Sequence, residues 1–368
     1  MRHPTKQQKI LVTAANGHTG YTTAKALLEG GLPVRVMVRN TDSEKVENLK
    51  ALGAEVIRGN LDDYRDIQAA LIDVQRAYFC APFDRNALLK TANFVIAAEQ
   101  AGLEHVVYMT QWLVAAEHPA INTREQWLGK QIAMLHNRVG YTFINTGLFS
   151  FTYFFTLQMV TQLGIYPTLL DEDQLGIVGL NAPPSEEDQG RVIAQILSDP
   201  ESHNRQTYRI TGPKLISHKD VIDTYSKVLG RNIKPMHISK KMLFKSLTAM
   251  GFPTYQLLNV SHYLDDLEQG AFSCDGGVTD VVKTITGSEA ESFKTILKRE
   301  LDQSNLRDRS FSKRICALRF FLKMLMTKAP DLSDYETQQE FPAFFEQPVL
   351  AMSNPKWKEE HGLAGRSS

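Results

Sequence analysis

The segment Ala14-Ala-Asn16-Gly17-His18-Thr19-Gly20 sets two glycines three residues apart, directly after the apolar run 10–13 and before the amphipathic stretch 21–29. This spacing suits anion binding. A tight turn between a strand and a helix aims backbone N–H groups at a pyrophosphate, with the positive end of the helix dipole behind them. Ala14 takes the place of a first glycine. Gly17 leaves room for the phosphates to approach the backbone, and Gly20 lets the helix close on the strand. Ala14, Asn16, Gly17, His18, Thr19 and Gly20 are therefore the expected phosphate-side residues. A glycine turn without ligand is the competing reading, against which the strand-turn-helix context weighs.

The next apolar run, 34–38, ends on Arg39, nineteen residues after Gly20. An acidic residue there would hold the ribose 2′-hydroxyl of NAD(H), whereas a guanidinium suits the 2′-phosphate of NADP(H). NADP(H) rather than NAD(H) is the expected cofactor; a solvated arginine is the alternative. In Gly59-Asn60-Leu61-Asp62, Asn60 and Leu61 are placed to border the adenine, while Asp62 suits the N-cap of a helix over 64–72. Cys80 and Ala81 close the fourth apolar run on the nicotinamide side, where Cys80 also reads as simple packing.

These residues need a scaffold that brings strand ends together. Short, nearly continuous apolar runs at 10–13, 34–38, 54–58, 77–80, 106–109 and 141–145 alternate with helical stretches at 21–29, 45–52, 64–72, 88–101 and 123–137. Strands buried on both faces and separated by helices predict an α/β fold, a Rossmann-type doubly wound parallel sheet. This domain is expected over 1–150, with 190–212 returning to it through a strand at 206–210. Residues 151–301 are expected to form a smaller, mainly helical lobe for substrate or partner, and 302–368 an extension.

Lys+Arg and Asp+Glu balance at 41 each over 368 residues, so no global field favours nucleic acid. Cys80, Cys274 and Cys316 are too few and scattered for a disulfide framework or a zinc site. The polar start, Met1 to Lys9, does not read as a signal peptide, and the apolar run 315–326 is interrupted by Arg319 and Lys323 and too short to span a bilayer. A cytoplasmic protein without a metal is the expectation.

With the glycine turn, Arg39, the Gly59–Asp62 segment and a lysine, Lys130, on the helix before 141–149, the chain resembles the NmrA-like family of atypical short-chain dehydrogenases. The late segment Gly277-Val-Thr-Asp-Val-Val-Lys-Thr-Ile-Thr-Gly287 and Ser292-Phe293 extend that resemblance to about residue 301. It implies a Rossmann domain with a small C-terminal lobe. It also implies either an NADPH-dependent reductase of quinones or enone-like acceptors, or a dinucleotide-binding regulator that acts through a protein partner.

In ordinary short-chain dehydrogenases a tyrosine four residues before the lysine gives the proton. Here Gln126 stands there, and Thr110-Gln111 replaces the usual serine. The Ser-Tyr-Lys set is absent. Hydride transfer to a quinone or other conjugated carbonyl does not strictly need it, because the cofactor carries the hard chemistry. Lys130 is expected to orient the ribose, Thr110 to line the pocket and His118 to be a proton donor; a solvated lysine, a strand-end cap and a surface-loop histidine are the respective alternatives. Trp112, Trp127, Phe149, Tyr153 and Phe154 suit either a wall for a flat acceptor or core packing. In the extension, Leu318, Phe321, Leu322 and Leu325 at helical spacing predict an apolar stripe that docks on the body, with a partner or an anionic membrane as alternatives.

Overall fold

The computed structural model describes residues 9–339 and 347–363. The first half runs β1 (Lys9–Thr13), α1 (His18–Glu29), β2 (Val34–Val38), α2 (Glu44–Ala51), β3 (Glu55–Arg58), α3 (Tyr64–Ala70), β4 (Val74–Phe79), α4 (Ala87–Ala101), β5 (His105–Gln111), α5 (Ile121–Ala133) and β6 (Gly140–Thr146). After α6 (Leu157–Leu163) and β7 (Ile165–Thr168), α7 (Glu186–Ser198) leads into β8 (Thr207–Ile210), which pairs with β6. The result is one seven-stranded parallel sheet in the order β3-β2-β1-β4-β5-β6-β8. The side-chain period of two splits each strand between two cores. Ile10 and Val12 pack with Val36, Ile193 and Ile196 on one face, whereas Leu11 packs with Phe79, Phe94 and Val106 on the other. The strand order reverses between β1 and β4, and at such a switch point a crevice opens beyond the carboxyl ends of the strands.

The lobe contains α8 (His218–Leu229), β9 (Lys234–His237), α9 (Lys240–Ala249), α10 (Thr254–Glu268) and α12 (Phe293–Ser304), while α11 (Val281–Thr286) packs on α7 and β8, on the side of the main sheet. Its core gathers Leu157, Val160, Tyr166, Val221, Tyr225, Phe293 and Leu297. The mainly helical expectation omits one feature, a parallel pair of β7 and β9. Each of these strands is four residues long and carries a proline, Pro167 or Pro235, which a short edge pair tolerates and which erases the alternating signal.

Beyond the lobe come α13 (Phe311–Met326), α14 (Leu332–Gln339) and α15 (Pro355–Glu360). Helix α13 packs against α6 and α9 through Ala317 and Met324, with Phe320 and Phe321 partly buried. Of the expected stripe only Phe321 faces the body; Leu318, Leu322 and Leu325 stay 50%, 55% and 39% exposed. The helix is apolar on two sides, and periodicity alone does not choose between them. The last described stretch folds back on the dinucleotide domain: Trp357 is buried, and its indole N–H donates to the Trp112 carbonyl at 3.2 Å. No helix among the described residues is long and apolar enough to cross a membrane.

Candidate cofactor and acceptor site

A cavity of about 670 Å³ lies at the carboxyl ends of the strands, beneath the lobe. Ala14, Asn16, Gly17, His18, Arg39, Asn60, Leu61, Cys80, Ala81, Thr110 and Lys130 line it; Thr19, Gly20 and His118 do not.

At the β1–α1 turn the Gly17 N–H donates to the Ala14 carbonyl at 2.8 Å, closing a tight loop. A Cβ at Gly20 would fall 2.3 Å from that same carbonyl oxygen, so only glycine lets α1 approach the turn. A Cβ at Gly17 would meet it at 3.1 Å, tight but placed at the cavity rather than inside the packing. Ala14 has φ of +50°, a left-handed conformation that costs a non-glycine residue about 1–2 kcal/mol. Thr19 is buried, its hydroxyl 2.9 Å from that of Tyr78, and supports α1 from behind. Lys45 donates to the Gly17 carbonyl at 3.4 Å and puts a cation beside the turn. His18 stacks on Phe151 at 4.1 Å, and burial, reinforced by Lys45, lowers its imidazole to about 4. His18 is therefore neutral near pH 7. The glycine-lined cradle, Lys45 and Arg39, exposed at the end of β2, fit a dinucleotide carrying several phosphates.

Asp62 does not cap α3. Asp63 has the extended backbone of an N-cap, and its carboxylate accepts from the Arg65 N–H at 2.9 Å. The Asn60 side chain holds the Asp62 N–H at 3.2 Å, which shifts the cap by one residue. The Asp62 carboxylate instead accepts from Asn86 and pairs with buried Lys90 at 3.4 Å.

Burial also pushes up the thiol pKa of Cys80, which keeps it in the unreactive thiol form. The Thr110 hydroxyl is engaged by the Ile144 carbonyl at 3.1 Å and by the Asn145 side-chain oxygen, both on β6. Lys130 projects from α5 with its Nζ 5.2 Å from the Phe143 ring centre. Burial pushes its ammonium below the usual value, with Glu360 opposing. The surface-loop alternative for His118 does not hold. Its ring is wholly buried, donates from Nε2 to Asp266 at 2.7 Å and accepts the Ala120 N–H at Nδ1 at 3.0 Å, so it sits behind the cavity wall and not in the cavity.

The aromatic wall differs in membership from the expectation. Trp112 and Phe149 line the cavity, joined by Phe151 and Phe155. Tyr153 and Phe154 turn away onto Phe293, with ring centres 5.5 and 5.8 Å apart, and Trp127 lies under Lys356. The segment Ser150–Phe154 is a 3-10 helix, whose three residues per turn put Phe149, Thr152 and Phe155 on one side. The lobe adds Phe252 and Tyr263, and α5 adds Asn122 and Glu125. Glu125 accepts from the Tyr255 hydroxyl at 3.1 Å, and burial raises its carboxyl pKa. No glycine motif or strand pattern marks these residues; only the packing of α10 over the sheet brings them in.

A match to the NmrA-like family covers residues 6–295. The chain belongs to that family. Among its relatives, an NAD(P)H azoreductase of Xenophilus azovorans is 28% identical over 290 residues, which are 78% of this chain and 96% of that one. Among solved NmrA-like folds, the Citrobacter sp. triphenylmethane reductase complexed with NADP(H) superposes with a TM-score of 0.65 at 22% identity, covering 79% of this chain and 99% of that chain. The negative transcriptional regulator NmrA in complex with NADP superposes with a TM-score of 0.62 at 15% identity, covering 81% and 98%. The NmrA-like match ends before α13, so the extension that packs on the lobe and on Trp112 lies outside it.

Proposed function

We propose that this NmrA-like protein is an NADPH-dependent oxidoreductase acting on a quinone or another flat conjugated carbonyl. The observation that carries the reading is the continuity of the cavity, from the glycine turn and Arg39 at one end to Phe149, Phe155 and Phe252 at the other. A dinucleotide laid along the strand ends would then point its nicotinamide at an apolar slot. The relatives that reduce conjugated dyes, the azoreductase and the triphenylmethane reductase, support the same class of acceptor.

Bound NADPH supplies a hydride. The protein's part is to bind, orient and exclude water. The backbone of the β1–α1 turn holds the pyrophosphate, and Arg39 pairs with the 2′-phosphate. Asn60 and Leu61 border the adenine, and Lys130 orients the nicotinamide ribose. The aromatic wall stacks on the acceptor and keeps the hydride path dry.

The test is NADPH oxidation, followed by absorbance, across a panel of quinones, enones and azo dyes. Turnover on at least one flat conjugated acceptor is the expected result. The competing reading, a redox sensor that binds NADP(H) and acts through a protein partner, has two observations in its favour: Gln126 at the phenol position and a Thr110 hydroxyl committed to β6. Tight NADPH binding with no turnover on any acceptor selects the sensor.

Cofactor choice should follow Arg39. A hydrogen bond to a charged group contributes about 1.5–3 kcal/mol, or about 10- to 150-fold in affinity. Arg39→Asp should therefore remove the preference for NADPH over NADH or reverse it, measured by calorimetric titration. Equal affinities that the substitution leaves unchanged would take Arg39 out of the site.

A further inference from the structure

We propose that Tyr263, which reaches the cavity from α10, is the general acid that protonates the reduced acceptor. The inference rests on the oxidoreductase reading above. Helix α5 carries Gln126 where ordinary short-chain dehydrogenases carry a phenol, but a phenol lines the same cavity from the opposite lobe. The Tyr263 oxygen lies 3.0 Å from Nδ2 of Asn122, one helical turn before Gln126, and 3.3 Å from Nε2 of Gln111, the residue after Thr110. It thus bridges the end of β5 and the first turn of α5.

The direction of these hydrogen bonds suits an acid. Asn122 and Gln111 donate to the phenolic oxygen, and the Thr123 hydroxyl lies 3.4 Å from it. The two amides fill the two lone pairs of the neutral phenol, so its own proton is left for a molecule in the cavity, and the Thr123 hydroxyl becomes the third donor once the phenolate forms. Three donors on one oxygen also stabilise the phenolate that forms when the proton leaves, as donors do in an oxyanion hole. The Phe83 ring lies beside it, with centres 6.4 Å apart and planes 24° from parallel. Burial raises its pKa, so the proton is present throughout the neutral range and passes only to a strong base.

Such a base forms in the reaction. Hydride addition to a conjugated carbonyl places two electrons on the acceptor and leaves an anionic oxygen. The Tyr263 O–H bond breaks, a new O–H bond forms on the acceptor, and the phenolate regains a proton from water once product leaves. The products are the reduced acceptor and oxidised nicotinamide, with protons and electrons balanced.

The test is Tyr263→Phe, which keeps the ring and removes the proton. General acids contribute about 10²- to 10⁴-fold, so kcat on a quinone should fall by that amount. KM and the NADPH dissociation constant should stay within about twofold, and the wild-type solvent deuterium isotope effect on kcat should change in the variant. A merely structural tyrosine would move KM or folding and leave the isotope effect alone. Gln111→Leu, which removes one donor to the phenolate, provides a second reading: a loss of about 5- to 10-fold in kcat is expected for one hydrogen bond. Wild-type kcat and isotope effect in Tyr263→Phe would overturn the assignment while leaving the oxidoreductase reading intact. If Tyr263→Phe does not fold, unchanged kcat in Gln111→Leu would overturn it in the same way. An absence of turnover by the wild-type protein on the whole panel would overturn both.

Discussion

Gly17→Val should yield a folded protein that no longer binds NADPH. A Cβ at Gly17 meets only the Ala14 carbonyl oxygen, at 3.1 Å, and a shift of a few tenths of an ångström relieves that contact. The remaining atoms of valine would enter the cavity where the pyrophosphate approaches the turn. Losing two backbone N–H groups to a charged phosphate costs about 3–6 kcal/mol, an affinity loss of at least about 100-fold. Circular dichroism should match the wild type while calorimetry shows no saturable binding. Wild-type affinity in a folded variant would show that the phosphates lie elsewhere. The contrast with Gly20 is instructive: there the added carbon would sit 2.3 Å from the Ala14 oxygen, so valine at that position disturbs the fold itself.

The second large effect concerns stability and lies behind the cavity. Asp266 on α10 is wholly buried and accepts from two segments, His118 Nε2 at 2.7 Å and the Ala351 N–H at 3.0 Å. It ties the loop after β5, the lobe and the extension at one carboxylate. Asp266→Ala would leave a buried imidazole N–H and a buried backbone N–H without acceptors. Each such orphan costs about 1–3 kcal/mol, so a total loss of about 2–6 kcal/mol is expected. The denaturant midpoint should fall, and protease should cut within 347–363 under native conditions. An unchanged midpoint with the extension still protected would mean that the pair contributes little and that Trp357 and the bonds to Glu117 hold this stretch.

The parts of the site that were legible in the sequence lie within single strand-turn-helix units. The apolar runs became β1 to β6 because strands in the sheet interior, covered on both faces, leave few positions for polar residues; only the edge strand β3 is half-exposed. The turn at Gly17 and Gly20 was legible because its geometry depends on backbone within seven residues, and Arg39 because the next strand ends beside that turn. Lys130 reached the cavity for the same reason, as part of the helix that follows β5. His118 shows the limit. Its partner is 148 residues away, and no local pattern reveals that a loop histidine will be enclosed by a helix from another lobe.

What this amino-acid sequence determined by itself was the sheet, the glycine turn between β1 and α1 and a cation at the end of β2, since hydrophobic period and glycine spacing act over a few residues. The tertiary structure decided which aromatics face the cavity, which stripe of α13 docks and where a phenol stands. Tyr263 meets Gln111 across 152 residues, and Phe151 rather than Tyr153 turns to the cavity only because Phe293 takes the latter into the lobe core. Residues of one type compete for the same buried space, and the competition is resolved by packing between elements that are distant in the chain.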